Sequence, residues 1–496
     1  MSSQVWHLIW IKSGVEPEIN LKELDMAFYR GRQLTYLASS ISVLVIATGL
    51  VVGQSATQKS LAQTSTTPPP SGVTSINGAG ASSITTLFIG TGTSYPLAPK
   101  DSWFNAYGVG NPPSLNNNVP PALAGFPNGT YGPVNSAVTF RYASVGSGTG
   151  LTAFFTQTRP PVPPNTATIN NPVSFAATDD PVSGTERVTG APNDVPTPAG
   201  TPQNPVPYIQ VPVISVGIAL AYNPTGLTIP AGGIKLSRAT YLGILNGTIT
   251  NWNAPQIKAD NGGATIAVNK PIVVVRRSDD SGTTFALSSH LKAAFGATWN
   301  RGVGKKSIAQ PAGGIPNPLP ADTVVWPASF QFASGGGGVA TKIKTTAGAI
   351  GYVDSATRLA NSLQAAVLRN KAGTYNTISP TTISNAFVGA TDQDTNARRI
   401  KLVVTDPTAA NAYPIVTATY VLFYDKYADV KVANGIKGFV NWALGVPPVP
   451  APGTDVTIDA DKIAIARGYA PLPATIKNLS RGLVNTYVNT VFNPAP

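Results

Sequence analysis

Residues 273–285 read VVVRRSDDSGTTF, and the fold turns on how that stretch is understood. Ile272 to Val275 is the β-branched run of a strand. Behind it Leu287, Leu291, Ala294 and Phe295 recur three or four residues apart, the spacing of a helix face. A strand that feeds a helix start leaves unpaired backbone N–H groups and a positive dipole end at the junction. Gly282 lets a ligand approach that backbone, Ser281, Thr283 and Thr284 add hydroxyls, and Arg276 and Arg277 add guanidinium groups. Two readings fit. One is a site for a buried oxyanion, because every suitable donor type is present without a nucleophile–base pair. The other is a capped helix after a strand, with both arginines at the surface.

The 496 residues suffice for two to four domains or one large two-lobed unit. Hydrophobic residues make up 42 %, enough for a sizeable core, while charged residues make up only 11 %. The 48 glycines and 45 prolines point to many turns and long loops, not to a helical bundle. With no cysteine, disulfides, thiolate metal sites and cysteine catalysis are excluded. His7 and His290 are the two histidines, so a Ser-His-Asp triad could run only through His290, which sits in the predicted helix and reads as structural. The net charge of +12 is spread along the chain with no basic stripe and no nucleic-acid module, so no nucleic-acid partner is expected. A diffuse positive field that draws in small anions fits as well.

At the N-terminus, Arg30 and Arg32 precede the apolar run Leu37–Val52, which ends in small residues near Ala56. That pattern reads as a secretory signal peptide over residues 1–56, with Met26 a credible true start; an uncleaved anchor is the alternative, though the run is short for a span. Residues 57–73 are a Pro/Ser/Thr linker expected to lack packed structure.

The mature chain repeats the pattern of the opening stretch. Thr74-Ser75-Ile76 starts a strand, Asn77–Ser83 is a glycine-rich turn, and Ile84, Leu87 and Phe88 have helical spacing. Ala137–Val145 alternates like a strand, and Gly146–Gly150 turns into a helix carrying Leu151, Phe154 and Phe155. Neither turn completes a dinucleotide or nucleotide-phosphate motif. Val173–Thr178 is strand-like and ends in Asp179-Asp180-Pro181; a carboxylate there suits an anion site only if it accepts a proton from the ligand. Tyr208–Tyr222 and Val416–Tyr424 are apolar strand runs long enough to cross between lobes. Leu236–Gly247, Trp252–Ala259, Val339–Thr345, Lys431–Leu444 and Ala474–Tyr487 read as helices, and Gly335–Gly338 most simply as a flexible loop. Residues 90–135, 158–171 and 183–207 are Pro- and Gly-rich insertions, and Asn128, Asn246 and Asn478 sit in glycosylation sequons.

The motifs NGAGAS (77–82), YASVGSGTG (142–150), FAATDDP (175–181), LGILNGTITNW (242–252), RSDDSGTTF (277–285), VWP (325–327), GAIGYV (348–353), YPIVT (413–417) and GYAPLP (468–473) follow one another in an order that resembles the periplasmic phosphate-binding proteins of Pst-type ABC transporters. The resemblance implies an α/β, two-lobed type II periplasmic binding-protein fold joined by two crossing strands. Lobe I is expected over 74–214 with 418–496, and lobe II over 215–417. It also implies phosphate ligands at Ser82, Ser83, Ser147, Asp179, Arg277, Asp279, Ser281, Gly282 and Thr283. Arg277 would clamp two oxygens, Asp279 would orient that guanidinium, and Asp179 would accept the proton that hydrogen phosphate carries and sulfate lacks. The family usually has Thr-Phe where this chain has Ser82-Ser83, and Gly where it has Asp280, whose charge is expected to face solvent.

The resemblance further implies a periplasmic or cell-surface monomer, no cofactor and no metal, that delivers phosphate to a membrane ABC permease. A secreted phosphate-binding or adhesion protein without a transporter is the alternative. An enzyme such as a phosphatase would need an activated nucleophile or metal cluster that this composition makes hard to build.

Overall fold

The computed structural model describes residues 72–90, 102–108, 134–156, 173–182, 208–304, 324–394, 396–445 and 459–490, all within the unit Gln58–Pro496. The leader expected over 1–56, nearly all of the linker, the insertions at 158–171 and 183–207, most of that at 90–135 and the Asn128 sequon lie outside the described residues. Among the described residues no helix is long and apolar enough to cross a membrane.

Strands β1 (Thr74–Gly80), β2 (Val138–Ser144) and β3 (Phe175–Thr178) come first, followed by the 15-residue β4 (Tyr208–Tyr222). Then come β5 (Lys235–Leu236), β6 (Val273–Arg277), β7 (Gln331–Ala333), β8 (Ala349–Asp354), β9 (Gln364–Ala365), β10 (Val367–Arg369) and β11 (Tyr375–Asn376). β12 (Val416–Tyr424) runs back, and β13 (Lys426–Tyr427) and β14 (Asn489–Thr490) form a small parallel pair.

Nine strands share one sheet in the order β2-β1-β3-β12-β4-β8-β6-β7, with β9 also on β4. The arrangement is two parallel halves joined through an antiparallel middle. β1 pairs parallel with β2 and β3 in one half, and β6 pairs parallel with β8 and β7 in the other. β4 and β12 pair with each other along Tyr208–Gly217, and β4 then continues to β8 through Ile218–Tyr222. All fifteen residues of β4 are buried, so its unbroken apolar run is what a strand covered on both faces requires. β5, β10 and β11 make a separate three-stranded sheet.

In both halves a parallel strand ends in a turn and delivers a helix start. β1 leads into a 3-10 turn at Ser82–Ile84 and the helix Thr85–Ile89, β2 into Ser147–Thr156, and β6 into Gly282–Phe295. Ligands of open α/β sheets gather outside the carboxyl ends of such strands. Packing there is close: a methyl carbon on Gly150 would lie 2.2 Å from the Cα of Gly80, so only glycine lets that helix rest on β1.

The first half is stitched by aromatics. Phe88 stacks on Phe104 at 4.4 Å, Phe104 on Phe140 at 5.1 Å, and Phe439 of the helix Val430–Ala443 meets Phe140 at 4.9 Å. Trp103, Phe104 and Tyr107 lie on the short helix Trp103–Tyr107 and are buried in this cluster. The second half packs Val275, Val339, Ala340, Ile343, Ala349 and Val353 against β4.

Several local expectations shift. The NGAG segment is not yet a turn: β1 continues through Gly80. The four glycines at Gly335–Gly338 are not a loop but the first turn of the helix Gly335–Thr345. Glycine is a poor helix former, which is why the pattern concealed it; the N–H groups of that turn find partners in the site described next. The last helix falls on Ala474–Tyr487 as expected, and other helix limits move by one to three residues, as at Arg238–Asn246 and Pro255–Asp260.

Candidate functional site

The stretch that opened the reading forms β6 and the helix Gly282–Phe295. Arg277 ends the strand, and it is buried, which rules out the surface reading for it. Its guanidinium donates from Nε to Asp279 Oδ1 at 2.7 Å and from Nη2 to Asp279 Oδ2. A guanidinium has five N–H groups, so three remain beyond the pair. Its backbone N–H donates to the Tyr352 hydroxyl at 3.1 Å, and that hydroxyl also meets Thr284 Oγ1 at 2.7 Å. Tyr352 belongs to GAIGYV and stacks on Trp326 of VWP, so two motifs remote in sequence hold this strand end.

Asp279 also accepts from the Gly335 N–H at 2.9 Å. Burial by itself would raise its carboxyl, but the Arg277 guanidinium beside it and the Gly335 N–H hold it below the usual carboxylate range. Arg277 is held in its charged form in the same way, Asp279 outweighing the cost of burial. Ser281 caps the helix, accepting from Thr284 N at 3.2 Å. Gly282 and Thr283 are buried in the first turn, where backbone N–H groups lack intrahelical partners. Asp280, expected to face solvent, is half-buried: its carbonyl lies next to Gly146, 3.0 Å from where a methyl carbon on that glycine would stand.

The opposing half supplies the rest. A methyl carbon placed on Gly282 would lie 2.7 Å from Ser147 Oγ, 2.7 Å from Asp179 Cβ and 2.9 Å from Asp179 N. The three sequence segments carrying Ser147, Asp179 and Gly282 therefore meet at one point. Ser147 is buried, and its Oγ has no hydrogen-bond partner among the described residues. An unpaired buried hydroxyl carries a desolvation cost that a ligand oxygen would remove.

Asp179 is 1 % exposed. Ser83 Oγ lies 2.7 Å from each of its carboxylate oxygens, and Thr419 Oγ1 on β12 donates to Oδ1 at 2.6 Å. Burial pushes its carboxyl up; the Ser83 and Thr419 hydroxyls and the charge of Arg277 oppose the rise, and Asp180 adds to it. Ser82 is half-buried and accepts from the Gly336 N–H at 3.3 Å, a bond from one half of the molecule to the other. The Ser83 carbonyl accepts from Tyr469 of GYAPLP at 2.5 Å, which fixes that turn.

All nine residues picked from the sequence thus fall in one region. Their parts differ: Ser83 spends its hydroxyl on Asp179, the Ser147 hydroxyl has no partner among the described residues, and the Asp279 pair uses two of the five Arg277 N–H groups. Sequence reading missed Thr419, the N–H groups of Gly335 and Gly336, and Asp354. Asp354 ends β8, is 1 % exposed, and caps the helix Ser355–Ala360 by accepting from Thr357 N at 2.8 Å and Thr357 Oγ1 at 2.6 Å. Burial pushes it up to about 6, the Thr357 bonds opposing, Asp179 adding and Arg277 subtracting. The one available signal was a hydroxyl or carboxylate inside an otherwise apolar strand.

His290 lies in the same helix as Gly282. Its Nε2 is 2.9 Å from the Tyr241 hydroxyl and its Nδ1 2.8 Å from the Thr405 carbonyl, a satisfied buried histidine as expected. Burial holds it down at about 4. Chemically, the site sets one guanidinium, hydroxyls and helix N–H donors around the buried carboxylate of Asp179, a combination that suits a small oxyanion bearing one proton.

Residues 122–446 match the family model of the PBP superfamily domain. The chain is 28 % identical over 350 residues to the phosphate-binding protein PstS2 of Mycobacterium bovis, covering 69 % of this chain and 80 % of that one. It is 29 % identical over 269 residues to the phosphate-binding protein PstS of Pasteurella multocida, covering 54 % of this chain and 68 % of that one. Among solved structures, a phosphate-binding protein from Stenotrophomonas maltophilia superposes with a TM-score of 0.53 at 22 % identity, covering 85 % of this chain and 97 % of that one. The periplasmic phosphate-binding protein PfluDING, solved with phosphate, superposes with a TM-score of 0.52 at 20 % identity, covering 82 % of this chain and 93 % of that one. These likenesses agree on a two-lobed type II binding-protein fold.

Proposed function

We infer the function from one premise: the chain belongs to the PBP superfamily, whose model matches more than half of it. It binds inorganic phosphate in the cleft between its lobes and delivers it to an ABC permease for uptake. Relatives that carry the name of phosphate-binding protein support this, but the observation that carries it is Asp179. A buried carboxylate beside Arg277, Ser147 and the start of the helix Gly282–Phe295 makes sense when the bound anion brings its own proton. Hydrogen phosphate has that proton; sulfate does not, and would set an unprotonated oxygen against the carboxylate.

In this reading Arg277 pairs with two phosphate oxygens while Asp279 aims it. Ser82, Ser147, Ser281 and Thr283 supply hydroxyls, Gly282 and Thr283 supply N–H groups, and Ser83 steadies Asp179. Lobe I takes in 74–214 with 418–496 and lobe II 215–417, and closure brings the two donor sets onto one anion. The protein acts as a monomeric carrier at the periplasmic or cell-surface side, directed there by its leader, with no nucleic-acid partner and no catalytic turnover. The last point is supported by a site built of anion donors and by a histidine whose two ring nitrogens are both engaged elsewhere.

Calorimetry on protein stripped of bound anion tests the assignment. Phosphate is expected to bind tightly at a single site and sulfate weakly, since a site that demands a partner rejects analogues lacking it by roughly 10⁴–10⁵. Comparable affinities for the two would overturn it.

A further inference from the structure

The acceptor at the heart of the site is held by a residue to which the reading above gives no part. Thr178 on β3 pairs with Tyr420 on the antiparallel β12, so the next rung sets Asp179 opposite Thr419. On its other side β12 loses register with β4 between Thr419 and Tyr420, where Tyr420 faces Pro212. Proline has no N–H to give the ladder, and irregularities of this kind re-aim a side chain beside functional sites. Here the result is a wholly buried Thr419 whose Oγ1 lies 2.6 Å from Asp179 Oδ1. Two residues earlier on the same strand, Thr417 Oγ1 donates to the Asp179 carbonyl at 3.1 Å.

We propose that Thr419 is the positioning residue that sets the anion selectivity of this site. Its hydroxyl proton goes to Asp179 Oδ1, which turns the remaining acceptor capacity toward the ligand and favours the ionised, acceptor-only carboxylate. Without that proton donor Asp179 takes up a proton of its own more readily. It then becomes a donor and tolerates an oxyanion that has no proton to offer. The groups that face Asp179 and share in its ionisation are Arg277 on β6, Asp354 on β8, Tyr142 on β2, Tyr420 on β12, Tyr469 of GYAPLP, and its neighbour Asp180. Thr419 differs from these charged and phenolic groups in giving a direct hydrogen bond, which is stronger to the ionised carboxylate than to the neutral acid.

The inference rests on phosphate being the ligand, and its test separates the two. Phosphate and sulfate affinities are measured by calorimetry for the natural protein, Thr419→Val and Thr419→Ser, each at about pH 6 and pH 8. Thr419→Val is expected to lower the phosphate-over-sulfate ratio by about tenfold to a hundredfold, the worth of one hydrogen bond to a charged group. The loss should be larger at the lower pH, and Thr419→Ser should restore the ratio. A ratio in Thr419→Val equal to that of the natural protein at both pH values overturns the inference. An equal drop at both pH values that serine fails to restore does so too, since it marks mere packing damage. If Thr419→Val does not fold, Thr419→Ala reads the same ratio without the branched methyl groups. Absence of phosphate binding by the natural protein would instead count against the function proposed above.

Discussion

Gly282→Ala isolates the meeting of the two halves. The added methyl carbon would stand 2.7 Å from Ser147 Oγ, 2.7 Å from Asp179 Cβ and 2.9 Å from the Asp179 backbone nitrogen. Ordinary contact between such atoms is about 3.5–4.0 Å, so the halves must separate by roughly 1 Å. Two of the blocking atoms belong to the Asp179 backbone or its Cβ and cannot swing aside. If the separation weakens the ligand bonds of Ser147 and Asp179 together, at about 1.5–3 kcal/mol for each bond to a charged group, phosphate affinity should fall by about 10²–10⁴-fold. Alanine is the better helix former by up to about 1 kcal/mol, so the ligand-free, open protein should melt at the same temperature or slightly higher. Calorimetric titration with phosphate beside a thermal melt of the stripped protein reads both quantities. An affinity within threefold of the natural protein would refute the claim that Ser147, Asp179 and Gly282 converge on the ligand. A lost affinity accompanied by a much lower melting temperature would point to a damaged fold.

Arg277→Lys should weaken phosphate binding by about a hundredfold by calorimetry, because an ammonium cannot pair bidentately with the anion while also spanning both oxygens of Asp279; unchanged affinity would remove Arg277 from the site. Asp354→Asn tests the second buried carboxylate. Its folded-state value, about 6, stands above that of an unfolded aspartate, so Asp354 favours the fold at low pH and that contribution is lost as pH rises from about 4 through 6. Asparagine keeps one acceptor for Thr357, so the variant should gain on the order of 2 kcal/mol at pH 8 and nothing near pH 4 in denaturant melts. Gly150→Ala puts a carbon 2.2 Å from the Gly80 Cα, a backbone-on-backbone clash expected to lower stability by about 2–3 kcal/mol, read as a lower melting temperature.

The strands and helix starts were legible because their side chains carry period and punctuation. β4 and β12 showed as unbroken apolar runs, and each glycine-rich turn stood between a strand pattern and a helix pattern. The order of short motifs, by its resemblance to a family, brought Arg277, Asp279 and the serines forward as candidates. What stayed hidden depends on who pairs with whom. Thr419 looks like any alternate residue of a strand until the register sets it across from Asp179. Asp354 reads as a strand end or a cap, and nothing in GAIGYVD says that its carboxyl shares an environment with Asp179 and Arg277. Gly335–Gly338 misled in a different way. Composition argued for a loop, yet the turn is held by N–H groups that reach Asp279 and Ser82 in tertiary structure, which local propensity cannot see.

In the proposed function, phosphate recognition turns on the proton that Asp179 accepts. Phosphate and sulfate affinities of Asp179→Asn, set against those of the natural protein, measure it. The amide is expected to bring the two anions within about tenfold of one another, by losing phosphate affinity and gaining sulfate affinity, with the fold intact. A variant that discriminates as strongly as the natural protein would contradict it.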